Sequence, residues 1–263
     1  FRILNLFRYI TFRTASASLT ALFLALVLGP WLIRRLRDFQ VGQYIREDGP
    51  QSHHAKAGTP TMGGVLITLC VVVPTLLWSN LGNVFVWVVL GTTLAFAGIG
   101  LWDDFQKLRR RKNLGLTART KFLLQILVSF IFAVALIFLA ARGSYSTTLT
   151  FPFFKRIRPD LLISALLDNA WTYPFAFLPF VAFVVLVLVG SSNAVNLTDG
   201  LDGLAIGCVV ISASALTVLT YVAGHAVLAD YLDLEHLPRV AELTIFCGAM
   251  AGASLGFLWY NAH

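Results

Sequence analysis

The chain has 263 residues, of which 57% are hydrophobic and only 13% charged, with a mean hydropathy of +0.77. Such a composition excludes a soluble globular domain, a disordered chain and a disulfide scaffold, and places the chain in a bilayer. A net charge of +7 would suggest nucleic acid in a soluble protein. In a membrane protein basic residues report topology first, so no nucleic-acid partner is expected.

A helix needs roughly 20 apolar residues to cross hydrocarbon. Six intervals without Asp, Glu, Lys or Arg reach that length: 14–33, 57–102, 122–141, 169–198, 203–229 and 243–263. The second is twice as long as required and is broken by the turn-like Trp78-Ser79-Asn80-Leu81-Gly82-Asn83, so seven spans are expected. Unbroken, non-alternating runs satisfy their backbone groups as helices rather than barrel strands. The fold class is therefore all-α, a polytopic integral membrane protein.

Arg2, Arg8 and Arg13 precede the first run, as they would in a cleavable signal peptide. The run passes directly into Arg34-Arg35 without a small-residue cleavage site, which argues for a retained span. Pro30, Pro74 and Pro174 lie in or near spans as candidate kinks. Cys70, Cys208 and Cys247 all fall in apolar runs, where a thiol acts as a small hydrophobe.

Alternation of seven spans assigns each connection to a side. One side holds segments 34–56, 103–121 and 199–202 with Arg34, Arg35, Arg37, Arg46, Lys56, Lys107, Arg109, Arg110, Arg111, Lys112, Arg119 and Lys121, and is expected to be cytoplasmic. On the other side, Ser144 to Phe154 reads as a short hairpin strand and Leu161 to Leu167 as an interfacial helix.

Three polar stretches converge on the expected cytoplasmic side. Lys56-Ala57-Gly58-Thr59-Pro60-Thr61-Met62-Gly63-Gly64 joins a cation, hydroxyls and glycines that let backbone approach a phosphate, without the order of a P-loop. His53 and His54 lack the spacing of helical metal ligands. Asp103-Asp104 sets two carboxylates side by side at a span end, where mutual repulsion and desolvation call for a neutralising partner. Mg²⁺ is one candidate; the other is an ordinary helix terminus facing Lys107 and Arg109.

The third stretch runs from Asn193 to Gly203. Asn196, Asp199 and Asp202 recur at intervals of three, as on one helical face, whereas the glycines favour a loop around a ligand.

In these residues the sequence resembles the phospho-N-acetylmuramoyl-pentapeptide transferases, the translocase I family, within the superfamily of polyprenyl-phosphate sugar-1-phosphate transferases. The resemblance extends from Phe7-Arg8-Tyr9 to Trp259-Tyr260-Asn261. It implies transfer of phospho-MurNAc-pentapeptide from its UDP carrier to undecaprenyl phosphate, giving lipid I and UMP in peptidoglycan synthesis. Mg²⁺ is the implied cofactor and the bacterial inner membrane the implied location, with a cytoplasmic active site. By motif match, Asp103, Asp104, Asp199 and Asp202 are catalytic and Asp104 is a metal ligand. Lys56, Lys121, Asn193, Asn196 and Asn261 belong to the substrate pocket. A homo-oligomer is compatible with the resemblance.

Family members have ten spans and continue past the position of Asn261-Ala262-His263. The segment beyond His263 carries a further metal-binding aspartate in the family. The expectation is thus a single membrane-embedded transferase domain over residues 1–263 that lacks this C-terminal part. Three alternatives stay open: a GlcNAc-1-phosphate transferase of the same superfamily, an ion-coupled transporter, and an inactive scaffold in a cell-wall assembly. A transporter would place its acids on broken helices near mid-membrane.

Overall fold

A computed structural model describes residues 2–38, 63–110, 115–151, 157–167, 171–199 and 203–261. A 3₁₀ helix, Arg2–Arg8, leads into α1 (Ile10–Asp38), and then follow α2 (Gly63–Trp78), α3 (Val84–Arg110), α4 (Ala118–Ala141), α5 (Leu178–Thr198), α6 (Leu204–Gly224), the short α7 (Ala226–Tyr231) and α8 (Leu243–Asn261). Among the described residues, six helical segments are long and apolar enough to span a membrane, and α2, at 16 residues, is a shorter apolar helix. The seven expected apolar segments are therefore all helical. Pro30 and Pro74 sit inside α1 and α2, while Pro174 opens a 3₁₀ turn, Tyr173–Phe177, ahead of α5.

Of the hairpin strand expected over Ser144 to Phe154, residues 152–154 lie outside the described residues, and over the described part it is corrected to an isolated antiparallel bridge, Thr148 to Asp160. Two backbone bonds flank it, from Leu149 to the Pro159 carbonyl and from Leu161 to the Thr147 carbonyl, too few for a ladder. The interfacial helix expected over Leu161 to Leu167 shrinks to a single 3₁₀ turn, Ser164–Leu166.

The chain divides into two compact units, residues 1–118 with 198–263, and residues 119–197. In the first, α8 is the central helix and α1 runs parallel to it. Their contact is built from small residues. Gly248 faces Thr14, Gly252 faces the Ser18 carbonyl and Gly256 faces Ala25, while Ala17, Ala21 and Ala25 are fully buried. Between helices in lipid there is little hydrophobic drive, so close backbone approach through small side chains supplies the packing. A Cβ at Gly252 would collide with the Ser18 backbone, so glycine is required there.

Around this pair the other helices alternate in direction. Gly63 at the start of α2 packs on Phe257 near the end of α8, while Trp78 at the end of α2 donates its indole N–H to Thr20 near the start of α1. Asn83, just before α3, donates to the Arg239 carbonyl near the start of α8. Thr244 of α8 bonds Thr220 late in α6, so α6 and α8 are antiparallel. One end of this unit consequently collects the C-termini of α1, α3 and α8 and the N-termini of α2 and α6. The opposite end is tied by Arg13 and Glu242.

The second unit contains α4 and α5, also antiparallel. Gln125 near the start of α4 meets Asn193 near the end of α5, and the Tyr145 ring beyond α4 lies 6.0 Å from Phe180 near the start of α5. Leu123, Phe130, Ile131 and Phe138 of α4 are exposed, as suits a hydrocarbon-facing surface.

Candidate active site

Lys56, Asp202 and His263 lie outside the described residues, as do the histidines at 53 and 54. The metal-binding aspartate expected past His263 is therefore not placed, and Asp104 represents the expected metal ligands among the described residues. In the first unit, the end defined above carries Asp103, Asp104, Asp199 and Asn261. Helix α3 continues past the apolar run through Asp103 and Asp104 to Arg110, so the two carboxylates lie in its last turns. Lys107, one turn further on, places Nζ 2.8 Å from Asp103 Oδ2 and 2.9 Å from Asp104 Oδ1. Spacings of three and four residues on a helix make this bridge geometrically natural. Lys107 thus supplies one positive charge against the two carboxylates, which leaves the group net negative.

Asp103 has a second engagement. Its Oδ1 accepts the backbone N–H of Leu116 at 2.8 Å, which holds Leu116 against α3. Gly115 makes this possible, since any Cβ there would run into the Asp103 carboxylate and backbone. With both oxygens engaged and only 8% of the residue exposed, Asp103 anchors the approach to α4. Asp104 is more open. Its Oδ2 meets no hydrogen-bond partner among the described residues.

Among the described residues no three His, Cys, Asp or Glu side chains cluster as a ready-made metal cage. Mg²⁺ does not require one, because it commonly takes one or two carboxylates and completes its octahedron with water and substrate phosphates. The open oxygen of Asp104 fits such a ligand; Asp103, as placed, does not offer one.

Asn261 ends α8 directly after Tyr260, whose hydroxyl donates to the Leu26 carbonyl at 2.7 Å and whose ring lies over Gly29. That contact fixes the end of α8 on α1 and hence the place of Asn261. Asp199 stands exposed in the turn after α5, and Gly203, at φ +75°, supplies the left-handed residue that starts α6. The Asn193 to Gly203 stretch is therefore helix through Thr198, with Asn193 and Asn196 one turn apart on α5, rather than a loop throughout.

In the second unit, Lys121 and Asn196 share the end at which Gln125 and Asn193 meet. Asn193 Nδ2 donates to Gln125 Oε1 at 2.9 Å and to the Val189 carbonyl at 2.8 Å. Gln125 Nε2 donates to Ser192 Oγ at 3.1 Å, and Ser129 Oγ returns a bond to the Gln125 carbonyl. Gln125 and the Arg13–Glu242 pair were not among the residues singled out by motif. The signal for Gln125 was available: it is an amide inside the charge-free interval 122–141, and polar groups at such depth need partners.

The described residues thus form membrane-length apolar helices with acids at helix ends in one unit and amides in the other, a polytopic membrane protein, and the description Glycosyl transferase family 4 matches residues 86–263. The phospho-N-acetylmuramoyl-pentapeptide-transferase signature 1 matches residues 56–67. The chain is 62% identical over 259 residues to the phospho-N-acetylmuramoyl-pentapeptide-transferase of Koribacter versatilis, covering 98% of this chain and 68% of that one. It is 64% identical over 263 residues to the protein of the same name from Acidobacterium capsulatum, covering 100% and 70%. At 52% identity over 261 residues, the Desulfatibacillum aliphaticivorans protein carries that name too, with 99% and 68% covered. The chain belongs to the phospho-N-acetylmuramoyl-pentapeptide-transferase family, and is an enzyme of the phosphotransferase class.

Proposed function

We propose that the protein transfers phospho-MurNAc-pentapeptide from UDP-MurNAc-pentapeptide to undecaprenyl phosphate, releasing UMP and forming lipid I. The reaction is assigned to the cytoplasmic face of the bacterial inner membrane. The observation that carries the reading is identity of 47% to 64% with proteins of this one name, over nearly the whole chain.

The chemistry follows from charge. A phosphate monoester with a second pKa of about 6 is largely ionised at neutral pH, so the attacking lipid oxygen needs little help in losing a proton. Orientation and neutralisation of crowded phosphates then govern the rate. Mg²⁺, when bound, supplies that neutralisation, and Asp104 is the described residue suited to hold it. Asp103 is assigned to the catalytic acidic pair by motif, and its contacts with Lys107 and Leu116 give it a positioning role as well. Asp199 and Asp202 are assigned to the catalytic loop, and Lys56, Lys121, Asn193, Asn196 and Asn261 to substrate binding, by motif.

The test offers radiolabelled UDP-MurNAc-pentapeptide and UDP-GlcNAc separately to the full-length protein with undecaprenyl phosphate. Label entering lipid, with release of UMP, is expected from the first donor alone. Transfer from UDP-GlcNAc only would replace this reading by the sister activity, and transfer from neither would remove it.

A further inference from the structure

The amide of Asn193 can be oriented in one way only. The Val189 carbonyl oxygen is purely an acceptor, so the Asn193 atom 2.8 Å from it must carry hydrogen and is Nδ2. The second hydrogen of that nitrogen is taken by Gln125 Oε1 at 2.9 Å. Gln125 is itself fixed, because its Oε1 faces a donor and its Nε2 reaches Ser192 Oγ. At 2% exposure Gln125 has no water with which to exchange these bonds. Both donors of Asn193 are thus consumed within α4 and α5, and its Oδ1 has no partner among the described residues.

We propose that Gln125 is a positioning residue that makes Asn193 present only its carbonyl oxygen, so that Asn193 receives an N–H or O–H of the substrate and not a phosphate oxygen. This rests on the reading that Asn193 faces substrate. Gln125 touches no reacting group. It acts by occupying the N–H that would otherwise be free to donate to a phosphate.

The experiment compares Gln125→Met, Gln125→Glu, Ser192→Ala, Asn193→Ala and the Gln125→Met/Asn193→Ala double variant in the full-length protein, reading UMP release, KM and kcat separately, inhibition by pyrophosphate, and thermal unfolding. Misplacement of a contact group costs up to about a hundredfold, and Gln125→Met is expected to lower kcat/KM by about tenfold or more. Burial favours the neutral form of a glutamic acid at this site; in that form it accepts from Asn193 and donates to Ser192, so Gln125→Glu restores activity to within about threefold, less than one hydrogen bond's worth.

Residues acting through one another are non-additive, so the double variant matches Asn193→Ala alone. With its second N–H released, Gln125→Met binds pyrophosphate about fivefold more tightly, the effect of one added hydrogen bond. If Gln125→Met does not fold, Ser192→Ala gives the same test in weaker form, with a smaller loss that vanishes on the Asn193→Ala background. Additive losses, or a fully active Gln125→Met beside a crippled Asn193→Ala, overturn the proposal and leave the reading of Asn193 standing. A fully active Asn193→Ala overturns both.

Discussion

Arg13 and Glu242, 229 positions apart in the chain, form a two-point ion pair with N–O distances of 2.7 and 2.9 Å. Arg13 also donates to the Trp78 carbonyl, and Glu242 accepts the Asn80 backbone N–H, so one pair joins α1, the α2–α3 turn and the approach to α8. The side chains are 14% and 12% exposed, which leaves little water to replace a lost partner. Stacking of Phe7 on Trp78, with ring centroids 5.9 Å apart, covers the same region.

Removing one member of a largely buried pair strands the other, at about 3 kcal/mol or more. Glu242→Ala is expected to lower the thermal unfolding midpoint in detergent clearly, and Arg13→Ala/Glu242→Ala to cost less than the sum of the two single changes. Because the pair lies at the end of its unit opposite Asp103, Asp104 and Asn261, UMP release per folded molecule should be preserved. A loss of turnover without a loss of stability would show the pair to be part of the chemistry instead.

Packing of α1 on α8 predicts a contrast between two glycines. Gly252→Ala forces a methyl into the Ser18 backbone, and overpacking of this kind costs about 1–3 kcal/mol. Gly91→Ala on α3 meets nothing within 4 Å and should be neutral or slightly stabilising. Unfolding midpoints of the two variants side by side decide it.

Lys107→Met removes the cation that bridges the two adjacent carboxylates at the end of α3. Like charges at a separation of about 4 Å repel by about 4 kcal/mol at an effective dielectric constant of 20, a cost that works against holding the acidic pair side by side. Turnover is expected to fall at least tenfold at low Mg²⁺ and to recover in part as Mg²⁺ is raised, since a divalent ion can take over the neutralisation. Equal losses at all Mg²⁺ concentrations would contradict this account.

Orientation can be read with single cysteines. Leu81, in the α2–α3 turn, and Arg109, near the end of α3, are both exposed and lie at opposite ends of the first unit. An impermeant thiol reagent applied from outside the cell should label Leu81→Cys and spare Arg109→Cys until the membrane is opened. The reverse pattern would place the acidic pair outside and end the cytoplasmic assignment.

Much of the fold was legible in the sequence because the bilayer imposes a one-dimensional constraint: a charge-free run long enough to cross hydrocarbon has to be helical. Among the described residues, that rule located each long helix between Thr14 and Tyr260. It failed over Ser144 to Phe154, where aromatic and Thr-rich composition suggested a strand. Such propensity reflects side-chain packing on neighbouring strands, and among the described residues a single bridge offers no neighbouring strand to pack on.

The acidic pair, the asparagines and the family were likewise written in local motifs, since those residues carry their chemistry wherever the chain places them. Partnership was not. That Leu116 claims an oxygen of Asp103, that Gln125 meets Asn193, and that Arg13 finds Glu242 are all decided by three-dimensional proximity, whereas the bridge from Lys107 to Asp103 and Asp104 lies within one helical turn and was open to sequence reading. Hydrogen bonds and ion pairs act over about 3 Å, a distance that sequence separation does not encode once the contact extends beyond a single helical turn.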